Sequence, residues 1–266
     1  VGRPVLVHQV ERLKRTRLID HLVVATSRDP ADDAIADVCR QHGIDVGRGS
    51  LEDVLGRMVE VAKPYAPDAV VRLTGDCPLA DWEVVDTVIQ RFQKGGVDYA
   101  SNISPPTWPD GLDVEVISFD TLVCADRGAT LAYDREHVTP YIRNAPERFP
   151  SANVAPPRDL SAYRWTLDEA ADLDFVRAVY ENLYPYNAAF RMPDILTLLE
   201  RRPDLTALND TYGRNQGSLK NRYSRSTEML TRAERHIPLG SQTFSKSAVQ
   251  FPVGAAPLFI DRGDRG

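Results

Sequence analysis

Two aspartates stand where an open α/β sheet does chemistry. Asp76 closes the apolar run Val70-Val71-Arg72-Leu73-Thr74-Gly75-Asp76, ahead of Cys77-Pro78-Leu79, and Asp168 closes Arg164-Trp165-Thr166-Leu167-Asp168. A strand that delivers an acid at its carboxyl end puts that carboxylate where such sheets bind ligands. Two carboxylates meeting there would be oxygen ligands to Mg²⁺, an ion that keeps several waters and bridges substrate phosphates. Read alone, Asp168 is better explained as a helix N-cap, and Asp76 equally well as a turn acid before Pro78.

Other groups could bind an anion or a polar ligand. Arg48-Gly49-Ser50, just before the helix that contains Asp53, offers a guanidinium, backbone donors and a hydroxyl at a helix start. A turn with a solvated arginine explains the same triplet. Arg135-Glu136-His137-Val138-Thr139-Pro140-Tyr141 gathers hydrogen-bonding groups within one turn, although a lone histidine is more often structural. Cys77 has no basic neighbour in sequence and reads as a small buried residue rather than a nucleophile.

These groups need elements to position them. Near-helical spacing of Val5, Leu6, Val10 and Leu13 predicts a helix over 4–14, and Leu22 to Thr26 reads as a buried strand. Ser27 or Asp29 should cap a helix over Ala31 to His42 that ends at Gly43. A strand at 44–46, a helix at 51–62, a strand at 69–73 and a helix at 82–92 continue the alternation. Strand and helix in turn predict a doubly wound, mostly parallel sheet in an α/β domain. Beyond Gly96, strict alternation over Leu112 to Val116 predicts a strand with Asp113 and Glu115 on one face. Helices are expected at 119–129, 135–144, 172–183 and 193–201, with a strand at 163–167.

Composition narrows the class. The 266 residues are 42% hydrophobic with a formal net charge of −6, which suits a soluble globular protein and argues against nucleic-acid coating or a basic membrane patch. No apolar stretch approaches the roughly 20 residues of a membrane helix, and no charged-then-apolar leader is visible. Cys39, Cys77 and Cys124 show neither zinc-ligand nor disulfide spacing, so a reducing cytoplasm is the expected compartment. The chain opens at Val1-Gly2-Arg3 without methionine, and its start is expected not to be a natural one. A composition shift at 210–225 reads as a linker, dividing a domain over 1–209 from a module over 226–266.

In this order the motifs resemble the cytidylyltransferases of the spore coat polysaccharide type, relatives of acylneuraminate and 3-deoxy-manno-octulosonate cytidylyltransferases. The matching stretches are Val23 to Ser27 with Asp32-Asp33, Arg48-Gly49-Ser50 with Asp53-Val54-Leu55, Arg72 to Leu79, Tyr99 to Asn102, Pro109 to Glu115, Arg135 to Tyr141 and Arg164 to Asp168. The resemblance implies a nucleotide-diphospho-sugar transferase fold, Mg²⁺ and CTP, with a sugar oxygen attacking the α-phosphorus and pyrophosphate leaving. Asp76 and Asp168 match the family's metal-binding acids. Arg48, Ser50, Asp53 and Arg72 fall on the nucleotide side, and Asn102, Asp113, Glu115, Arg135 and His137 on the acceptor-sugar side. Relatives with this fold are often dimers, so a homodimer is an expectation.

One departure matters. The family's first strand and its basic, glycine-containing triphosphate loop would lie just before Gly2. That strand belongs between those at Leu22 and Ala69, so the chain is expected to be weak or inactive as a transferase. The segment from Ser226 to Ile260 resembles the start of a glutamate-1-semialdehyde aminomutase-type aminotransferase, an enzyme that uses pyridoxal phosphate on a lysine farther along, so Lys246 is not assigned that role. Two alternatives from other classes stand beside the transferase: a non-catalytic binding or scaffolding remnant, and part of a pyridoxal-phosphate-dependent aminotransferase.

Overall fold

The computed structural model describes residues 2–211 and residue 214. A first unit runs Val1–Thr211. Apart from Asp210, Thr211 and Arg214, the expected linker over 210–225 and the aminotransferase-like segment over 226–266 lie outside the described residues.

The alternation of strands and helices is present from the start. Helix α1 (Val5–Leu13) precedes β1 (Val23–Ser27), and α2 (Asp33–Gln41) leads to β2 (Asp45–Gly49). β1 and β2 pair in parallel, with Val23 opposite Asp45 and Ser27 opposite Gly49. Asp29 caps a 3-10 turn over Pro30–Asp32 rather than the α-helix itself, so α2 starts two residues later than the sequence pattern predicts. α3 (Val54–Ala62) starts late for a similar reason: Asp53 accepts from the Gly56 amide at 2.9 Å and fixes the N-cap there.

The second sheet has the order β3-β5-β4-β6. Its strands are β3 (Ala69–Arg72), β4 (Tyr99–Ser101), β5 (Glu115–Ser118) and β6 (Ser151–Asn153). β5 runs against both β3 and β4, while β4 and β6 are parallel. Successive residues of β4 and β5 serve opposite layers. Ala100 and Val116 face one core with Leu79, Val85, Trp165 and Phe175, whereas Tyr99 and Ile117 face another with Leu55, Leu122 and Ile142. α4 (Trp82–Gln93), α8 (Ala170–Leu183) and α9 (Met192–Arg201) supply buried residues to the first core. α3 and α5 (Phe119–Gly128) contribute to the second. The second sheet is covered on both faces, as expected of an α/β domain, but two of its three pairings are antiparallel, so the mostly parallel sheet expected from the sequence is found only in the β1–β2 pair and at β4–β6.

Three local expectations are corrected. The strand over 112–116 begins only at Glu115, because the Asn102 side chain takes the place of a neighbouring strand. Its Nδ2 donates to Leu112 O at 2.7 Å and its Oδ1 accepts from Val114 N at 2.8 Å. The strand over 163–167 is reduced to one bridge, Asp110 opposite Arg164. Next to that bridge, Gly111 turns the chain at φ 104°, with a would-be Cβ only 2.6 Å from the carbonyl carbon of Trp165. The single helix over 135–144 is two: α6 (Ala132–His137) and α7 (Pro140–Arg143). Between them Val138, at φ 71° and ψ −58°, is the centre of a γ-turn closed by Thr139 N donating to His137 O at 2.8 Å. The imide nitrogen of Pro140 then cannot continue α6.

Candidate active site

The carboxyl ends of β3 and β4 and the reversed entry of β5 meet on one edge of the sheet, and most of the candidates are strung along it. Asp76 follows β3, Asn102 follows β4, and Asp113 and Glu115 lead into β5. Asp168 comes from a distant segment that is bonded to the Asp76 loop. Leu167 N donates to Asp76 O at 2.8 Å, and the Thr166 hydroxyl reaches the same carbonyl at 3.4 Å.

Asp168 does not cap the following helix. Glu169 holds the N-cap of α8, and Asp172 accepts from its amide at 2.9 Å. The Asp168 carboxylate instead meets Arg164 Nη2 at 3.0 Å. Arg164 is buried and also donates to both oxygens of Asp172, at 2.9 and 2.7 Å. Asp110 lies 3.6 Å from it on another side. Arg164 and Asn209 hold Asp172 at a pKa of about 2 against the opposing pull of burial. The Asp168 carboxyl is pushed up by burial and then by the charge of Asp76, which places the two acids within each other's field. The sequence reading gave Arg164 no role, although an arginine four residues before one acid and eight before another was the available signal.

The Cys77 thiol is buried and donates toward Asp76 Oδ1 at 3.4 Å. Burial and Asp76 raise its pKa well above that of an ordinary thiol, the opposite of what a nucleophile needs.

A second cluster centres on Glu115, which is buried and paired with Arg72 across the β3–β5 ladder. Tyr99 donates its hydroxyl to Glu115 at 2.6 Å. Burial pushes the Glu115 carboxyl up, but Arg72, Tyr99 and Thr139 together hold it below its usual range. His137 Nε2 and Arg143 Nε are buried with no hydrogen-bond partner among the described residues. Burial depresses the His137 pKa, Glu136 opposes that, and Arg72 and Arg143 add to the depression, so the ring is kept neutral.

The remaining candidates brace the scaffold. Arg48 donates to Ser27 O at 2.7 Å, to Asp33 at 2.6 Å and to Asp29 O at 3.0 Å, gripping the turn after β1. Ser50 accepts from the Asp53 amide at 3.0 Å. Arg135 pairs with Asp53 and with Asp126 at 2.7 Å, tying α6 to α3 and α5. Gly56 leaves room for that pair, since a Cβ there would sit 2.5 Å from Asp53 Oδ2. Asp113 is half-buried just before β5.

Residues 1–190 match the cytidylyltransferase family along their whole length. The chain belongs to that family. This cytidylyltransferase-family chain is 35% identical over 211 residues to the spore coat polysaccharide biosynthesis protein SpsF of Bacillus subtilis, covering 75% of this chain and 83% of that protein. It is 37% identical over 107 residues to a 3-deoxy-manno-octulosonate cytidylyltransferase of Anaeromyxobacter sp. (strain K), which is 39% of this chain and 42% of that one. A solved cytidylyltransferase from Leptospira borgpetersenii superposes with a TM-score of 0.74 at 29% identity, over 77% of this chain and 87% of its own.

Proposed function

We propose that this unit is a Mg²⁺-dependent cytidylyltransferase that couples CTP to a sugar acid for surface polysaccharide synthesis. The observation that carries the reading is the bonding of the Asp76 loop to the segment that ends in Asp168. Two carboxylates on one rigid edge fit the donor set of Mg²⁺, which commonly takes one or two protein carboxylates and completes its shell with water and phosphate. When bound, that ion would supply Lewis-acid stabilisation of charge at the α-phosphate and the leaving group.

In the transfer, an acceptor hydroxyl oxygen forms a bond to the α-phosphorus and gives up its proton to solvent. The bond from that phosphorus to the bridging oxygen of the β-phosphate breaks, and pyrophosphate leaves. The chain's part is to position and to hold charge. Arg164 orients Asp168, and Cys77 and Thr166 fix the surroundings of Asp76. By resemblance, Arg48, Ser50, Asp53 and Arg72 belong to the nucleotide side, and Asn102, Asp113, Glu115, Arg135 and His137 to the sugar side; the bonds of Arg48, Arg135, Asn102 and Glu115 within the fold give those four a positioning part there. The sugar-acid class is supported by likeness to the Anaeromyxobacter enzyme, and the pathway by likeness to SpsF.

The same reading includes a cytoplasmic homodimer, and no helix among the described residues is long and apolar enough to cross a membrane. It also includes weak turnover unless a further strand and its phosphate-binding loop sit between β1 and β3. Among the described residues β1 pairs only with β2, and β3 only with β5.

Isothermal titration of CTP with Mg²⁺ into the chain and into Asp76→Ala tests the metal site. Metal-dependent binding that is lost in the variant supports the reading. Binding of equal strength in both would reject Asp76 as a ligand, and a folded chain with no affinity at all would favour the scaffold alternative.

A further inference from the structure

Arg12 lies on α1, away from the acids, with only 3% of its surface exposed. One edge of its guanidinium grips the loop after Asp76: Nε donates to Ala80 O at 2.8 Å and Nη2 reaches Leu79 O at 3.4 Å. Its charge stacks against Phe190, with Cζ 4.3 Å from the ring centroid, and stands 5.6 Å from the Trp82 ring. The remaining donor, Nη1, is buried without a hydrogen-bond partner among the described residues.

A buried guanidinium is ordinarily matched by a carboxylate, and Arg12 makes no ion pair among the described residues. The nearby Asp81 already uses both oxygens, Oδ1 for the Glu83 amide at 2.9 Å and Oδ2 for the Met192 amide at 2.7 Å. Beside Arg12 is a cavity of about 20 Å³, bounded also by His8, Arg15, Tyr180 and Tyr184, with Glu11 among the lining residues. Glu11 is engaged by Arg3. His8 stacks on Tyr180 and Tyr184, with centroids 4.9 and 5.4 Å away, and its Nε2 is the second buried nitrogen left unpaired there.

With its charge against Phe190 and one edge on the loop, the Nη1 edge is what Arg12 has left to offer the cavity. An unpaired Nη1 on a buried cation that only Asp81 and Tyr180 offset leaves room for negative charge, and a space of about 20 Å³ suits a small group. We propose that this cavity binds one compact monovalent anion, a halide or the head of a carboxylate, between Arg12, Arg15 and His8.

The bound anion completes the Arg12 fork, whose other edge shapes the loop behind Asp76. Tyr180, which borders the same cavity, donates to Pro78 O at 2.8 Å, and Gln9 on α1 donates to Thr74 O at 2.7 Å. Occupancy therefore stiffens the segment over 74–80. The inference needs neither the metal reading nor CTP.

Crystals of the full chain soaked in bromide should give an anomalous peak within hydrogen-bond reach of Arg12 Nη1 and His8. In solution at constant ionic strength, formate should raise the unfolding midpoint and slow amide exchange over 74–80 several-fold, while inorganic phosphate, too large for the cavity, does neither. Arg12→Met would remove the loop contacts together with the site, so the diagnostic variant is His8→Phe, which keeps the ring stack and deletes the nitrogen. It should weaken the formate response about tenfold or more, as expected for one lost charge-assisted hydrogen bond. Three results would overturn the proposal: water instead of bromide at that position, a response shared by formate and phosphate, or one that His8→Phe leaves unchanged.

Discussion

Asp76 and Leu167 are joined by one backbone hydrogen bond of 2.8 Å, and that bond brings a carboxylate from each of two distant segments to the same edge. The acid of one segment is the residue that offers the carbonyl, and the acid of the other follows the residue that donates. Neither carboxylate takes part in that bond: Asp168 is held by Arg164 instead, and Asp76 accepts from the Cys77 thiol.

Arg164 should be the least replaceable residue of this assembly. Arg164→Met leaves the carboxylate of Asp172, which is fully buried, without its cation, and Asp110 and Asp168 lose one as well. Breaking a buried ion pair from one side costs about 3–5 kcal/mol. Denaturant unfolding should show a loss of that order, and Arg164→Lys should recover part of it without restoring the two-pronged grip on Asp172.

The Glu115 pair predicts an acid limb in stability. The folded-state pKa of Glu115 lies below its unfolded value near 4.5, so between the two values the unfolded chain binds more protons. The stabilisation is complete above pH 4.5 and is lost as pH falls through the folded value. Glu115→Gln should lower stability near neutral pH, by roughly 3 kcal/mol for a broken buried pair. It should also flatten the dependence below pH 4.5 in midpoints measured against pH.

Asn102 carries a different prediction, because both ends of its amide replace a strand. Asn102→Ala exposes the Leu112 carbonyl and the Val114 amide to an apolar interior. Each such unsatisfied group costs about 1–3 kcal/mol. A stability loss of about 2–6 kcal/mol by thermal unfolding should therefore accompany any change in acceptor affinity. If affinity falls with stability untouched, the amide acts on ligand and not on the fold.

Gly111→Ala tests the bridge between Asp110 and Arg164. The position combines φ 104° with a Cβ site 2.6 Å from the Trp165 carbonyl carbon, so alanine is opposed by both torsion and contact. The expected destabilisation is more than about 1 kcal/mol. CTP binding should weaken as well, since the strained bridge adjoins the segment that ends in Asp168.

Where apolar periodicity ran uninterrupted, the elements were legible. α1, α4, α5 and α9 sit within a residue or two of their predicted spans because each buries apolar residues at helical spacing. What escaped the sequence were substitutions of one kind of bonding for another. Nothing in the pattern over 112–116 announces that an asparagine ten residues earlier will occupy the ladder. Nor does Val138, a β-branched residue poorly suited to positive φ, announce a reversal. Asp76 and Asp168 stood out as candidates because each ends a largely apolar run, and what the structure adds is that their segments meet. Arg164 did not stand out, because a buried arginine looks in sequence like any solvated one.

The distance along the chain between the two bonded segments also sets a timetable. Thr166 and Asp76 are 90 residues apart, and Arg72 must wait 43 residues for Glu115. A ribosome that has just released Asp76 has made an acid-bearing loop with nothing to close it. Contacts of this span form late and slowly. The edge that would hold the ion and nucleotide is therefore assembled only when the whole unit has nearly emerged, and the growing chain has no use for its ligands until then.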